Sequence, residues 1–172
     1  VGTAFAYCDE SGLTPEIKAT VLARSKARTV DVFTDPLASP TGFPFKVVPI
    51  EDTVSEEPIY NKRTRVCDLG YLRSAYSIDD ETVGWRCPSE PVADYVRKGG
   101  DEADTVGRKC ICNALMASIG LGQIQKDGEP ELPIVTSGDD VSHVARFLTS
   151  GAQTYTAGDV VEYLLSNVDT SG

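Results

Sequence analysis

The chain holds one histidine, one methionine and one tryptophan in 172 residues. No apolar run reaches the 18 or so residues that cross a bilayer, and no basic stretch leads into a hydrophobic one at the start, so neither a spanning helix nor a secretory leader is read. Positive charge is scarce: 16 Lys and Arg stand against 26 Asp and Glu, for a formal charge of −10. Such a surface repels a phosphate backbone and anionic lipid, which argues against nucleic acid or membrane as a partner. The familiar enzyme motifs are also missing. There is no G-x-G-x-x-G, no Walker-type phosphate loop, no G-x-S-x-G, no H-E-x-x-H and no pair of C-x2-C knuckles. The expected setting is soluble and cytoplasmic.

What is present suits one folded domain. Apolar residues make up 41% and charged residues 24%, close to the globular average and far from a disordered or fibrous composition, and the length suffices for a real core. The sole methionine is Met116, so Val1 does not occupy an initiator position and upstream chain is expected. Val1-Gly2-Thr3-Ala4-Phe5-Ala6 reads as a buried parallel strand that needs neighbours.

Thr14-Pro15-Glu16 then sets a helix start, with a hydroxyl cap, proline in the first turn and an acid at the positive end of the dipole. The helix is expected over 15–25, with Ile17, Val21 and Leu22 on the face laid against a sheet. Val30 to Phe33 is a short strand candidate, and Val47-Val48 is briefly extended. The intervening segment, with three prolines and Gly42, is a shaped loop. Residues 51–66 read as surface connection, and 67–91 as irregular chain packed on something larger. Further helices are expected at 91–97, stopped by Gly99-Gly100, and at 104–119, with Val106, Cys110, Ala114, Leu115 and Ile119 as an apolar stripe. Two more are expected at 139–149 and 157–166, the last opened by Thr156-x-x-Asp159, close to a capping box.

Five cysteines allow three readings. Cys67, Cys87, Cys110 and Cys112, with Cys8 apart, could be buried or free thiols, ligands of zinc or an iron–sulfur cluster, or a redox pair. The spacing carries no zinc-ribbon signature. His143 near a helix start has no evident nucleophile or ligand partner and reads as a surface residue. Lys46 reads as a solvated lysine, or as an anion clamp. Gly2 and Thr3 offer bare backbone and amides to a phosphate.

At these residues the chain resembles a known family. Val1-Gly2-Thr3-Ala4-Phe5-Ala6, Glu10-Ser11-Gly12, Val32-Phe33-Thr34-Asp35-Pro36 and Ser39-Pro40-Thr41-Gly42-Phe43-Pro44-Phe45-Lys46 are similar to the C-terminal portion of the nitronate monooxygenases, formerly 2-nitropropane dioxygenases. Cys67-Asp68-Leu69-Gly70-Tyr71-Leu72 and Gly107-Arg108-Lys109-Cys110-Ile111-Cys112-Asn113 resemble one bacterial branch of them. The resemblance implies an α/β fold: the last strand and helix of an FMN-binding (β/α)8 TIM barrel over 1–50, then a mainly helical, loop-rich extension over 51–172 packed on the barrel. It implies FMN as cofactor, Gly2 and Thr3 as phosphate contacts, a small-molecule substrate, and the missing N-terminal barrel part of the same protein as partner. No catalytic or metal residue is carried over, and His143 matches no family motif. The implied activity is oxidation of nitronates or nitroalkanes with oxygen, in the whole protein and not in this fragment alone. A flavin-dependent enoyl reductase of the same barrel family is the nearest alternative. A non-catalytic helical module, docking a partner through Tyr71, Tyr76 and Trp85, is the more distant one.

Overall fold

The computed structural model describes residues 1–166. Gly2–Ala6 forms a short helix, α1, where a strand is expected. The reason lies in the next turn: Ala4, Tyr7 and Cys8 are all buried, and their i, i+3, i+4 spacing is one helical face. Helix α2, Pro15–Ala27, begins as its cap predicts, with the Thr14 hydroxyl accepting from the Ile17 amide and Pro15 in the first turn, and Arg28 ends it in a left-handed conformation. Its buried face is Ile17, Val21, Leu22 and Ser25.

That face meets no sheet. It packs on a nine-residue 3-10 helix, Asp139–Phe147, whose buried residues Val141, Val144 and Phe147 recur every third position, as three residues per turn require. Ser25 lies between the two elements: its hydroxyl donates to the Ser142 carbonyl and accepts from the Ala145 amide, both at 3.1 Å. The Ala145 amide is therefore held from outside and not by the carbonyl four residues back that an α-helix would use.

Two antiparallel pairs provide the only strands among the described residues. Strands β1 (Phe33–Asp35) and β2 (Phe45–Val47) join the ends of the proline-rich loop, with Phe33 opposite Val47 and Asp35 opposite Phe45. Strands β3 (Ser74–Ser77) and β4 (Val83–Arg86) form a hairpin inside the stretch expected to be irregular. Its turn is organised by Asp79, whose carboxylate accepts from the Glu81 and Thr82 amides at 3.0 and 2.8 Å. The architecture is thus mixed α/β with two small sheets and no closed barrel among the described residues.

Helix α3, Glu57–Lys62, occupies the expected surface connection, and α4, Val92–Arg97, stands where expected. The helix expected over 104–119 is broken into a 3-10 turn, Glu102–Thr105, and α5, Cys112–Ala117. Gly107 breaks it: its φ is +72°, and a Cβ there would lie 2.8 Å from the Leu37 Cβ, so the backbone turns left-handed where the loop of β1 and β2 packs. Val106, 64% exposed, then leaves the expected stripe, while Ala114 stays buried. Helix α6, Ala157–Leu165, opens on a full capping box between Thr156 and Asp159.

Two apolar clusters result. The larger joins Tyr7, Val21, Leu22, Val48, Val135, Val144, Tyr155 and Val160 among others, so segments from both sides of residue 50 share one core. The smaller gathers Val47, Val54, Tyr60, Ala114 and Ile134. The 133–136 segment threads between them, accepting from the Val48 and Val54 amides at 2.9 Å each through the carbonyls of Val135 and Pro133. No described helix is long and apolar enough to cross a membrane.

Candidate functional site

Three distant segments build one cleft. The start of α1 brings Gly2 and Thr3, strand β2 brings Phe45 and Lys46, and the entry to the 139–147 helix brings Ser137 and Gly138; together they line an open concavity of about 470 Å³. The approach is close: a Cβ on Gly138 would sit 2.6 Å from the Thr3 hydroxyl oxygen, whereas one on Gly2 would meet nothing. Gly138 is therefore needed for the Thr3 hydroxyl to reach this wall, and Gly2 leaves its backbone bare to the cleft.

The polar groups here are unevenly satisfied. The Ser137 hydroxyl is buried and lacks a hydrogen-bond partner, as does the Tyr7 hydroxyl. Burial pushes the Tyr7 phenol up, opposed by the adjacent Ser137 hydroxyl, so Tyr7 stays neutral and available as a donor. Lys46 is bonded to Asp139, so its charge at the cleft is largely neutralised. The other polar groups along the cleft belong to the start of α1, Thr3 and Ser137. This donor set fits a terminal phosphate and offers nothing that would hold a metal.

Gly2, Thr3 and Lys46, separate in sequence, are thus brought together. Ser137 and Gly138 were legible only as a helix start, since nothing local links them to a partner some 135 positions away. His143 is exposed on the 3-10 helix, its Nδ1 2.9 Å from the Ser142 hydroxyl, and lies outside the cleft. Tyr71 and Trp85 are exposed, at 66% and 57%, while Tyr76 folds over Gly84 and stacks with the Arg86 guanidinium, 5.3 Å from the ring centre.

A second concavity gathers the cysteines. Cys67, Cys87 and Cys110, with Arg65 and Glu90, line a small cavity of about 50 Å³, and all five thiols are free. Burial pushes the Cys110 thiol up; Arg63 opposes this, and the nearby Cys67, Cys112 and Cys87 add to it. Cys112 is raised likewise by burial and by Cys67 and Cys87, against the amides of Leu72 and Tyr71. Among the described residues, no three His, Cys, Asp or Glu side chains are grouped so as to hold a metal ion. Cys8 is buried in the larger core, its thiol donating to the Phe5 carbonyl at 3.2 Å.

No protein-family model, no curated protein and no solved structure matches the chain.

Proposed function

We propose that this chain forms the phosphate-side wall and helical cover of an FMN-dependent oxidoreductase of the nitronate monooxygenase kind. The observation that carries the reading is the joint cleft of Gly2, Thr3, Lys46, Ser137 and Gly138, with a buried hydroxyl on Ser137 that lacks a partner. A short helix at the phosphate end agrees with the general phosphate site of (β/α)8 barrels, which uses the N-terminus of a short extra helix together with the last loops. The last barrel strand that the resemblance implies over Val1–Ala6 is not found there, since Gly2–Ala6 is helical; the reading rests on the cleft.

In it, the Gly2 and Thr3 amides and the Thr3 and Ser137 hydroxyls donate to phosphate oxygens. Lys46, held by Asp139, keeps the mouth of the cleft from gaining net negative charge. Tyr7, kept neutral by burial, lies beside Ser137. The chemistry FMN supplies when bound is hydride and electron transfer between substrate and acceptor. Binding and orientation of its phosphate end are the work of these residues, and nitronates oxidised with oxygen are the proposed substrates.

A phosphate site discriminates FMN from riboflavin. In the protein made from its whole gene, Thr3→Val is expected to weaken FMN about tenfold, the loss of one hydrogen bond to a charged group, and to leave riboflavin unchanged. Equal effects on both ligands, or none on either, would remove Thr3 from the phosphate site.

A further inference from the structure

We propose that the cleft between the C-terminal end of α2 and the middle of the Asp139–Phe147 helix binds a small phosphate monoester through Lys26, Arg28, His143 and Arg146. The inference goes beyond the flavin reading and does not rest on it, since this cleft shares no lining residue with that of Gly2 and Thr3.

The first observation is charge. Lys26, Arg28, His143 and Arg146 line one open concavity of about 650 Å³, Val30 and Ala145 form its apolar wall, and no carboxylate is among its lining residues. The chain as a whole carries a formal charge of −10, so four basic side chains around a carboxylate-free cleft run against its composition. A concave wall of one sign focuses the field and draws in the opposite charge.

The second observation is that two of these cations are uncommitted. Among the described residues, the Lys26 and Arg28 side chains form no ion pair and donate no hydrogen bond. Basic side chains near a helix C-terminus commonly close its last carbonyls. Here the backbone does so: the Arg24 and Ser25 carbonyls accept from the Thr29 and Arg28 amides at 2.8 and 3.1 Å. Arg28 itself has a left-handed backbone, with φ +58°, a conformation that glycine holds without strain. An arginine there runs against the local preference, and a role for its side chain in the cleft accounts for it.

The walls are already tied together. The Ser25 hydroxyl joins α2 to the Ser142 carbonyl and the Ala145 amide of the opposite helix, so the cleft keeps its width before any ligand enters. Asp140 accepts from Arg146 at 2.9 and 2.7 Å, which orients that guanidinium and offsets its charge. The Ser142 hydroxyl gives its one proton to the Asp139 carbonyl at 3.1 Å, so in its 2.9 Å bond with His143 the ring Nδ1–H is the donor. That leaves His143 Nε2 for a ligand, accepting from a phosphate hydroxyl when the ring is neutral and donating to phosphate oxygen when it is charged. The two unpaired charges of Lys26 and Arg28 match the dianion of a phosphate monoester, to which arginine offers a bidentate fork. The concavity falls in the range of small-molecule sites, about 300–1,000 Å³, and Val30 and Ala145 give an organic body on the phosphate a surface to cover.

The test titrates the full chain, labelled with nitrogen-15, with phenyl phosphate at low ionic strength and neutral pH, and follows the amide spectrum. Saturable shifts are expected at Lys26, Arg28, His143 and Ala145, while phenol, which lacks the charge, produces none. Arg28→Gly, which suits the backbone there and keeps the fold, should weaken binding about tenfold, and Lys26→Gln at least about threefold. Lys126→Gln removes the same charge from an exposed site elsewhere and should leave the affinity unchanged. Folded protein without saturable shifts at millimolar phenyl phosphate would overturn the proposal, as would an affinity that neither Arg28→Gly nor Lys26→Gln alters. Benzoate bound as tightly as phenyl phosphate would overturn the assignment to a phosphate dianion. Shifts confined to Gly2, Thr3 and Gly138 would place the phosphate in the other cleft, overturning this site and leaving the flavin reading standing.

Discussion

The buried ion pair between Arg63 and Glu131 provides the sharpest energetic prediction. The two side chains are 11% and 4% exposed and bonded directly, the guanidinium sits 4.9 Å from the centre of the Tyr60 ring, and its second nitrogen donates to the Cys110 carbonyl. Removing either partner strands a charge away from water. Breaking a buried pair in this way costs about 3–5 kcal/mol, a large share of the total stability of roughly 5–15 kcal/mol expected of such a protein. Glu131→Leu and Arg63→Leu should each lower Tm by roughly 6–20 °C, taking about 2–4 °C per kcal/mol for a chain of this length. The double substitution leaves no stranded charge and should lose much less than the sum, with a coupling of about 3 kcal/mol. Urea unfolding of the four proteins, reduced and metal-free so that binding does not shift the baseline, measures the cycle. Additivity within about 0.5 kcal/mol, or single substitutions that cost less than about 1 kcal/mol, would refute the reasoning.

Other substitutions probe other joints. Ser25→Ala removes the hydroxyl that serves both the Ala145 amide and the Ser142 carbonyl; a loss of about 1–3 kcal/mol is expected, with faster amide exchange at Ala145. Gly107→Ala places a Cβ in a left-handed residue against Leu37 and should destabilise by more than about 1 kcal/mol, whereas Gly151→Ala, with nothing near its Cβ, should lose less. Asp140 has its pKa held below the ordinary carboxylate range, first by the hydrogen bonds from Arg146, at 2.9 and 2.7 Å, which outweigh its burial. A depressed folded pKa means that its stabilisation is complete above the unfolded value near 3.9 and is lost as pH falls through the folded one. Asp140→Asn should therefore cost under about 1 kcal/mol at pH 6, this being a partly exposed pair, and nothing once the wild-type carboxyl is protonated; a constant difference down to that pH would contradict it.

Legibility followed local chemistry. Helices α2 and α6 declare themselves through Thr14-Pro15 and Thr156-x-x-Asp159, because caps are satisfied by neighbours within three residues. Helix α1 was misread because its six opening residues carry no polar contrast; the helical spacing emerges only when Tyr7 and Cys8 are included. The β3–β4 hairpin escaped because the exposed face of β4 carries the apolar Val83 and Trp85 while the covered position between them is Gly84, the reverse of the apolar-in, polar-out alternation that marks a strand. A stripe drawn through Gly107 failed because the loop carrying Leu37 dictates its backbone. At the candidate site, Gly2 and Thr3 are legible as candidate phosphate contacts, and Lys46 as a solvated lysine or an anion clamp. Their meeting with Ser137 is a tertiary event that no spacing announces. Cys67, Cys87 and Cys110 likewise lack knuckle spacing and come to one cavity only through the fold.

The most direct test of the functional account is the visible spectrum of the protein purified from its whole gene, with release and identification of any chromophore. The account predicts a yellow protein containing about one FMN per chain, with FAD and riboflavin absent. A folded, colourless protein that takes up no FMN when it is added would contradict it.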